Sequence, residues 1–161
     1  EILGNTGTIT GRRMVAIDLS RCVHCDNCVR SCKAVNRVSL LDPRGPRVGA
    51  LMIPTACRQC YDPVCLYACK FHNITRDQYG EIHHGDRCTG CGRCAEACHY
   101  GHITMVEVKG NGSRGPGPRL KAMMCDMCQK RSHVVCVHNC PTGAAKIIDP
   151  GVEFPVSVPE S

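Results

Sequence analysis

Apolar residues along this chain come in short patches rather than in long periodic runs, so the elements they predict are short. Arg13-Met14-Val15-Ala16-Ile17-Asp18 reads as a strand. Asn73-Ile74-Thr75-Arg76 and Glu81-Ile82-His83-His84 flank Asp77-Gln78-Tyr79-Gly80, which predicts a hairpin with a glycine in its turn. Ile103 to Val108 and Ala145 to Ile148 read as two further strands. Short helices are predicted in Val29 to Val35, Pro63 to Cys69, Arg93 to Cys98 and part of Gln129 to Asn139. Gly and Pro break regular structure at Asp42-Pro43-Arg44-Gly45-Pro46 and again from Gly110 to Pro118, which predicts a surface loop. The segment from Asp149 to Ser161, with Pro150, Pro155 and Pro159, predicts an extended tail. This mixture is an α+β class.

None of these elements can build a conventional core alone. The hydrophobic class is 43% of 161 residues, but it counts 16 cysteines; without them about a third of the chain is apolar, there is no Trp and there are two Phe. A domain is ordinarily nearer half apolar, so the interior must be filled by something else. No apolar run approaches the ~20 residues of a membrane span. A charged fraction of 21% with recurring strand patches also argues against full disorder. No export signal or twin-arginine segment is visible in a sequence beginning at Glu1, so the expected compartment is the cytoplasm, with periplasmic export as the alternative.

The cysteines fall into four groups of four. Cys22, Cys25, Cys28 and Cys32 are spaced C-x2-C-x2-C-x3-C, and Cys88, Cys91, Cys94 and Cys98 repeat that spacing. Cys57, Cys60, Cys65 and Cys69 lengthen the middle interval to four residues; Cys125, Cys128, Cys136 and Cys140, followed by Pro141, lengthen it to seven. The groups begin 35, 31 and 37 residues apart, an internal repeat. Three closely spaced thiolates wrap one iron–sulfur cube from a single loop, and a fourth cysteine three residues on ligates a different cube. Zinc sites use C-x2-C pairs but do not explain the third and fourth cysteines. A disulfide framework does not explain four groups of four, and thioredoxin-type chemistry needs a single motif on a βαβ unit. The spacing therefore points to iron–sulfur clusters, and with no cysteine missing from any group the expectation is four [4Fe–4S] clusters and no three-iron centre.

These stretches carry a family resemblance. Asp18-Leu-Ser-Arg-Cys22-Val-His-Cys25-Asp-Asn-Cys28-Val-Arg-Ser-Cys32, Cys57-Arg-Gln-Cys60-Tyr-Asp-Pro63-Val-Cys65, Cys88-Thr-Gly-Cys91-Gly-Arg-Cys94-Ala-Glu-Ala-Cys98 and Cys140-Pro141-Thr-Gly-Ala144 resemble the four-cluster electron-transfer subunits of the dimethyl-sulfoxide-reductase iron–sulfur family. That family includes the beta subunits of molybdenum and tungsten pterin oxidoreductases and hydrogenase ferredoxin subunits. The opening around Ile17-Asp18-Leu19 also looks like ferredoxin regions of longer fused chains. The resemblance implies two tandem ferredoxin-like two-cluster modules within residues 14–148, nested as an outer module (about 14–50 with 119–148) and an inner one (about 51–108). It also implies the ligand sets. Cys22, Cys25, Cys28 and Cys140 would hold one cluster and Cys125, Cys128, Cys136 and Cys32 its partner. Cys57, Cys60, Cys65 and Cys98 would hold a third, and Cys88, Cys91, Cys94 and Cys69 the fourth. Spacing alone also allows the first group to pair with the second and the third with the fourth; the short Lys70 to Arg87 link favours nesting.

Two positions depart from the family: Lys70 and His99 stand where a proline often follows the fourth cysteine. The expectation is that these turns tolerate either residue, the alternative being that both raise the potentials of the clusters beside them. His24, His72 and His102 lie near ligands but are expected as neighbours rather than ligands, since each cluster already has four cysteines.

Charge changes meaning with iron in place. Four oxidised cubes at about −2 each with their thiolates would bring the formal +6 to about −2. Arg21, Arg30, Lys33, Arg58, Lys70, Arg93, Lys130 and Arg131 lie among the cysteines and are expected to balance that charge. No nucleic-acid module or aromatic stacking pattern accompanies them, so no nucleic-acid partner is expected. With no nucleotide loop, nucleophile elbow or paired carboxylates in the sequence, the expected role is non-catalytic. The chain would relay electrons between a catalytic oxidoreductase subunit, with molybdenum or tungsten pterin or a hydrogenase, and a further redox protein. A free-standing polyferredoxin and a redox-sensing module of a larger regulator are the alternatives.

Overall fold

The computed structural model describes residues 13–60, 62–78, 80–112 and 115–153. The strand expected near residue 14 is β1 (Met14–Asp18), whose three central residues are buried. It pairs antiparallel with β8 (Ala145–Ile148) in the register Met14 to Ile148 and Ile17 to Ala145, so the first and last strands among the described residues lie side by side. A small hairpin, β2 (Arg47–Val48) and β3 (Leu51–Met52), completes a sheet of order β2-β3-β1-β8. No pattern in the sequence announces that hairpin: each strand is two residues long, too short for a periodic signal, and the turn relies on Gly49 at φ 60.

The expected central hairpin forms as β4 (Ile74–Arg76) and β5 (Ile82–His84), with Ile74 opposite His84 and Arg76 opposite Ile82; Tyr79 of its turn lies outside the described residues. The four expected helices are α1 (Asn27–Asn36), α2 (Val64–Ala68), α3 (Arg93–Ala97) and α4 (Val135–His138). α1 packs on α4, as β1 does on β8, while α2 packs on α3. The first and fourth cysteine groups are thus brought together by these pairings, and the second and third by α2 and α3. Among the described residues no helix is long and apolar enough to cross a membrane.

Two expectations need correction. The stretch from Gly110 to Pro118 is not a free surface loop. β6 (Thr104–Gly112) and β7 (Gly115–Met123) pair along their whole length, with Lys109 opposite Pro118 and Gly110 opposite Gly117. Proline lacks the N–H a central strand needs, but each strand of a two-stranded ribbon keeps one unpaired edge, where that loss costs little. The tail is not extended from its start either: a short helix, α5 (Pro150–Glu153), follows β8, and proline at a helix's first position has its φ already set. The rest of the expected tail, 154–161, lies outside the described residues.

Cysteines form part of the interior. Cys65 and Cys94 are buried with Ile74, Ile82, Ala122 and Met124 beneath α2 and α3. Cys32 and Cys136 are buried with Val15, Leu40, Leu41 and Met127 beneath α1 and α4. All sixteen thiols are free of disulfides.

Candidate metal centres

Each cysteine group begins with a loop that coils around its thiols, and one backbone feature recurs in all four. The residue immediately before the second cysteine is left-handed: His24 at φ 55, Gln59 at φ 52, Gly90 at φ 78 and Met127 at φ 59. In the two C-x2-C-x2-C loops the residue after the second cysteine is left-handed as well, Asp26 at φ 58 and Gly92 at φ 79. A left-handed residue turns the chain back on itself within one step and brings flanking side chains to one side. It costs roughly 1–2 kcal/mol where the residue is not glycine. Only the two glycines announce this in the sequence; at His24, Asp26, Gln59 and Met127 no local signal does.

The fourth cysteine of each group is delivered elsewhere. Cys140 joins Cys22, Cys25 and Cys28 around a cavity of about 700 Å3, whose wall also includes Leu40, Arg44 and His102. Burial raises the proton affinity of Cys125, Cys128 and Cys136, and the neighbouring Cys32, at the inner face of α1, adds to it. Cys98 acts in the same way on Cys60 and Cys65, which in turn neighbour Cys57. Cys69 lines a narrow crevice with Cys88, Cys91 and Cys94. Cys57 and Cys125 line one crevice with Met127; burial raises the proton affinity of Cys57, and the neighbouring Cys125 adds to it.

Specific contacts hold these crossings. Asn73, buried just after the second group, donates its N–H to Cys69 Sγ at 3.4 Å and accepts the Arg87 N–H on its Oδ1 at 2.7 Å, so Cys69 is tied to the residue preceding Cys88. Gln59 is buried between Cys57 and Cys60 and grips β5 with both ends of its amide, Nε2 donating to the Ile82 carbonyl and Oε1 accepting the Ile82 N–H. The Arg58 guanidinium lies 4.4 Å above the Tyr100 ring, binding the same loop to the segment after Cys98. Arg131 donates to the Val35 carbonyl at 2.9 Å, fastening the fourth group's loop to α1 across 96 residues of sequence. Nothing in the sequence singles out Asn73 or Gln59 as anchors, and Arg58 and Arg131, expected only as counter-charges, also act as fasteners.

The donor set suits an iron–sulfur cube. Burial pushes the Cys57, Cys125 and Cys136 thiols up to about 12 and Cys65 to about 11, with neighbouring cysteines adding to it. Without metal these groups keep their protons, so iron must displace them on binding. Backbone N–H groups already point at the sulfurs: Leu40 to Cys32 at 3.2 Å, Ala122 to Cys88 at 3.3 Å and Ala145 to Cys140 at 3.3 Å. Neutral thiols gain little from such donors, whereas cluster-bound thiolates gain stability and a higher potential. Cys140 shows the balance: burial raises its proton affinity, but hydrogen bonds from Ala145, Thr142 and Ala144 outweigh it and hold the thiol below its ordinary range.

The polar neighbours separate by exposure. Lys70, His99, His24 and His72 are exposed, and His24 Nδ1 stands 4.0 Å from Cys22 Sγ. His102 is half-buried, stacked on Tyr100, and its Nε2 is buried without a hydrogen-bond partner among the described residues.

Known proteins are similar to this chain in sequence. A 4Fe-4S dicluster domain matches residues 87–144 and a 4Fe-4S binding domain matches residues 19–35. The electron transport protein HydN of Escherichia coli K12 is 30% identical over 155 residues, covering 85% of this chain and 88% of that protein. A tetrathionate reductase subunit of Archaeoglobus fulgidus is 29% identical over 127 residues, covering 74% of this chain and 56% of its own length. The arsenate respiratory reductase iron-sulfur subunit ArrB of Shewanella sp. ANA-3 is 32% identical over 130 residues, covering 66% and 56%. Sixteen thiols in these loops, together with these similarities, assign the chain electron transfer through iron–sulfur clusters rather than catalysis. The chain belongs to the 4Fe–4S ferredoxin-type family of electron-transport proteins and reductase iron–sulfur subunits.

Proposed function

We propose that the chain carries four [4Fe–4S] clusters in two nested ferredoxin-like modules and relays electrons as a subunit of an oxidoreductase complex. The observation that supports this reading is that the last cysteine of a group lies beside the thiols of another: Cys140 shares a cavity wall with Cys22, Cys25 and Cys28, and Cys69 lines a crevice with Cys88, Cys91 and Cys94. Cys22, Cys25, Cys28 and Cys140, with Cys125, Cys128, Cys136 and Cys32, belong to the outer module. Cys57, Cys60, Cys65 and Cys98, with Cys88, Cys91, Cys94 and Cys69, belong to the inner one. The clusters, when bound, supply the one-electron chemistry. The chain's own residues set spacing, donate N–H groups to sulfur and exclude water from Cys32, Cys65, Cys94 and Cys136, all buried. The closeness of Cys57 and Cys125 supports a row in which the two modules hand electrons to each other at that point. The partner would be a catalytic oxidoreductase subunit, in keeping with relatives named as subunits of a tetrathionate reductase and an arsenate respiratory reductase; the family resemblance makes it one with molybdenum or tungsten pterin, or a hydrogenase. A further redox protein would serve the other end.

Nesting is tested with Cys22→Ser, Cys140→Ser and the double variant, reading by Mössbauer and electron paramagnetic resonance spectroscopy how many clusters are altered. The expected result is the same single altered cluster in all three. Two altered clusters in the double variant would overturn the ligand sets.

A further inference from the structure

The sixteen cysteines differ in their access to solvent. Cys91 alone is exposed, and it lines one crevice with Cys69 and Phe71. Tyr67 is 70% exposed near the end of α2 and Phe71 is 49% exposed, so two of the chain's six aromatic side chains stand in solvent two residues either side of Cys69. Such residues are depleted on ordinary surfaces and enriched at the centres of protein interfaces. Lys70, Arg87 and Arg93, each next in sequence to one of Cys69, Cys88 and Cys94, are exposed and make no ion pair among the described residues. Glu96 on α3 is the exposed carboxylate of this face and Asp62 stands at the opposite end of α2, while Asp86 is neutralised by Lys121 at 3.2 Å and Lys130 at 3.0 Å.

We propose that the face formed by Tyr67, Lys70, Phe71, Arg87 and Arg93 around Cys91 is the docking surface for an acidic one-electron carrier protein. The inference rests on Cys69, Cys88, Cys91 and Cys94 holding a cluster as proposed above. Charge selects the partner: three unpaired cations outnumber the exposed carboxylates, so a surface rich in Asp and Glu is steered here, and the two aromatic rings seat it. One electron passes from the carrier's centre to the Cys91 centre; the carrier is oxidised, the chain is reduced, and no bond or proton changes hands. The other end offers less. Val23, 61% exposed between Cys22 and Cys25, is the large apolar side chain exposed in that loop.

The test uses an acidic plant-type [2Fe–2S] ferredoxin, photoreduced, as the probe and the cluster-loaded full chain as acceptor, with stopped-flow rates at several ionic strengths. Iron is counted first: a chain short of iron overturns the cluster reading, whereas a loaded chain with the wrong rates overturns only the surface. The expected result is a rate that falls with salt, drops roughly tenfold in Lys70→Glu and Arg93→Glu and severalfold in Tyr67→Asp, and is unchanged in Val23→Asp. Reduction by photoexcited deazaflavin, small and uncharged, stays constant throughout, and so do the cluster potentials. Equal losses in Val23→Asp, no loss at all, or losses that follow a lowered potential with both reductants would overturn the proposal; the last would assign these cations to balancing the cluster's charge. Tyr67→Asp, at a largely exposed side chain, keeps the test decisive should a charge reversal cost a cluster.

Discussion

At the scale of the residue, the loops are shaped by one left-handed position that only glycine adopts without strain, yet three of the four loops place histidine, glutamine or methionine there. The two glycines of the Cys88 loop separate conformation from crowding. Gly92 at φ 79 has open space where a side chain would begin, whereas a Cβ on Gly90 would lie 2.4 Å from the Leu120 carbonyl oxygen. Gly92→Ala should therefore cost only the left-handed strain, about 1 kcal/mol. Gly90→Ala must also push β7 away from the loop and should cost roughly 2 kcal/mol or more. Thermal unfolding of the two cluster-loaded variants checks this, and equal midpoints would contradict it. The cysteines themselves were legible in the sequence because their spacing is strictly local. Gln59 and Asn73 were not, because what they hold, Ile82 and Arg87, lies 23 and 14 residues away.

At the scale of the element, pairings between distant segments hold short pieces that could not stand alone. β1 is five residues long and β8 four, and each gains its order from the other, with β3 on the far side of β1. The entrance to β1 is also tied to the central hairpin. Arg13 forms a two-pronged ion pair with Glu81, Nε and Nη2 each at 2.8 Å, and the Glu81 side chain is 3% exposed while that of Arg13 is 54% exposed. Arg13→Ala leaves a buried carboxylate without its cation, which should destabilise the protein by about 1–2 kcal/mol after allowance for the exposed partner. Adding Glu81→Gln should recover part of that loss in a double-mutant cycle, and strict additivity would show the pair to be inert. Most strands and helices were readable from short apolar patches, to within a few residues. The β6–β7 ribbon was not, because Gly and Pro signal a break whether or not a partner strand is present, and only the opposing strand decides.

At the scale of the whole molecule, the thin apolar content and the sixteen cysteines have one explanation. The interior around Cys65 and Cys94, and that around Cys32 and Cys136, combines a handful of Ile, Leu, Val and Met with thiols, and on the proposed ligand sets iron and sulfide bound there would serve as core and as conductor together. Folding is then inseparable from cluster loading, and a chain stripped of iron should lose its ordered structure, read as a collapse of its circular-dichroism signal. The α+β class was readable from the sequence; the pairing of β1 with β8, and the approach of Cys57 to Cys125, depend on contacts that no local pattern records. The most direct measurement is iron and acid-labile sulfide per chain on anaerobically purified protein. Four cubes predict about 16 of each; a well-folded chain holding about eight or fewer, or holding zinc in place of iron, would contradict the account.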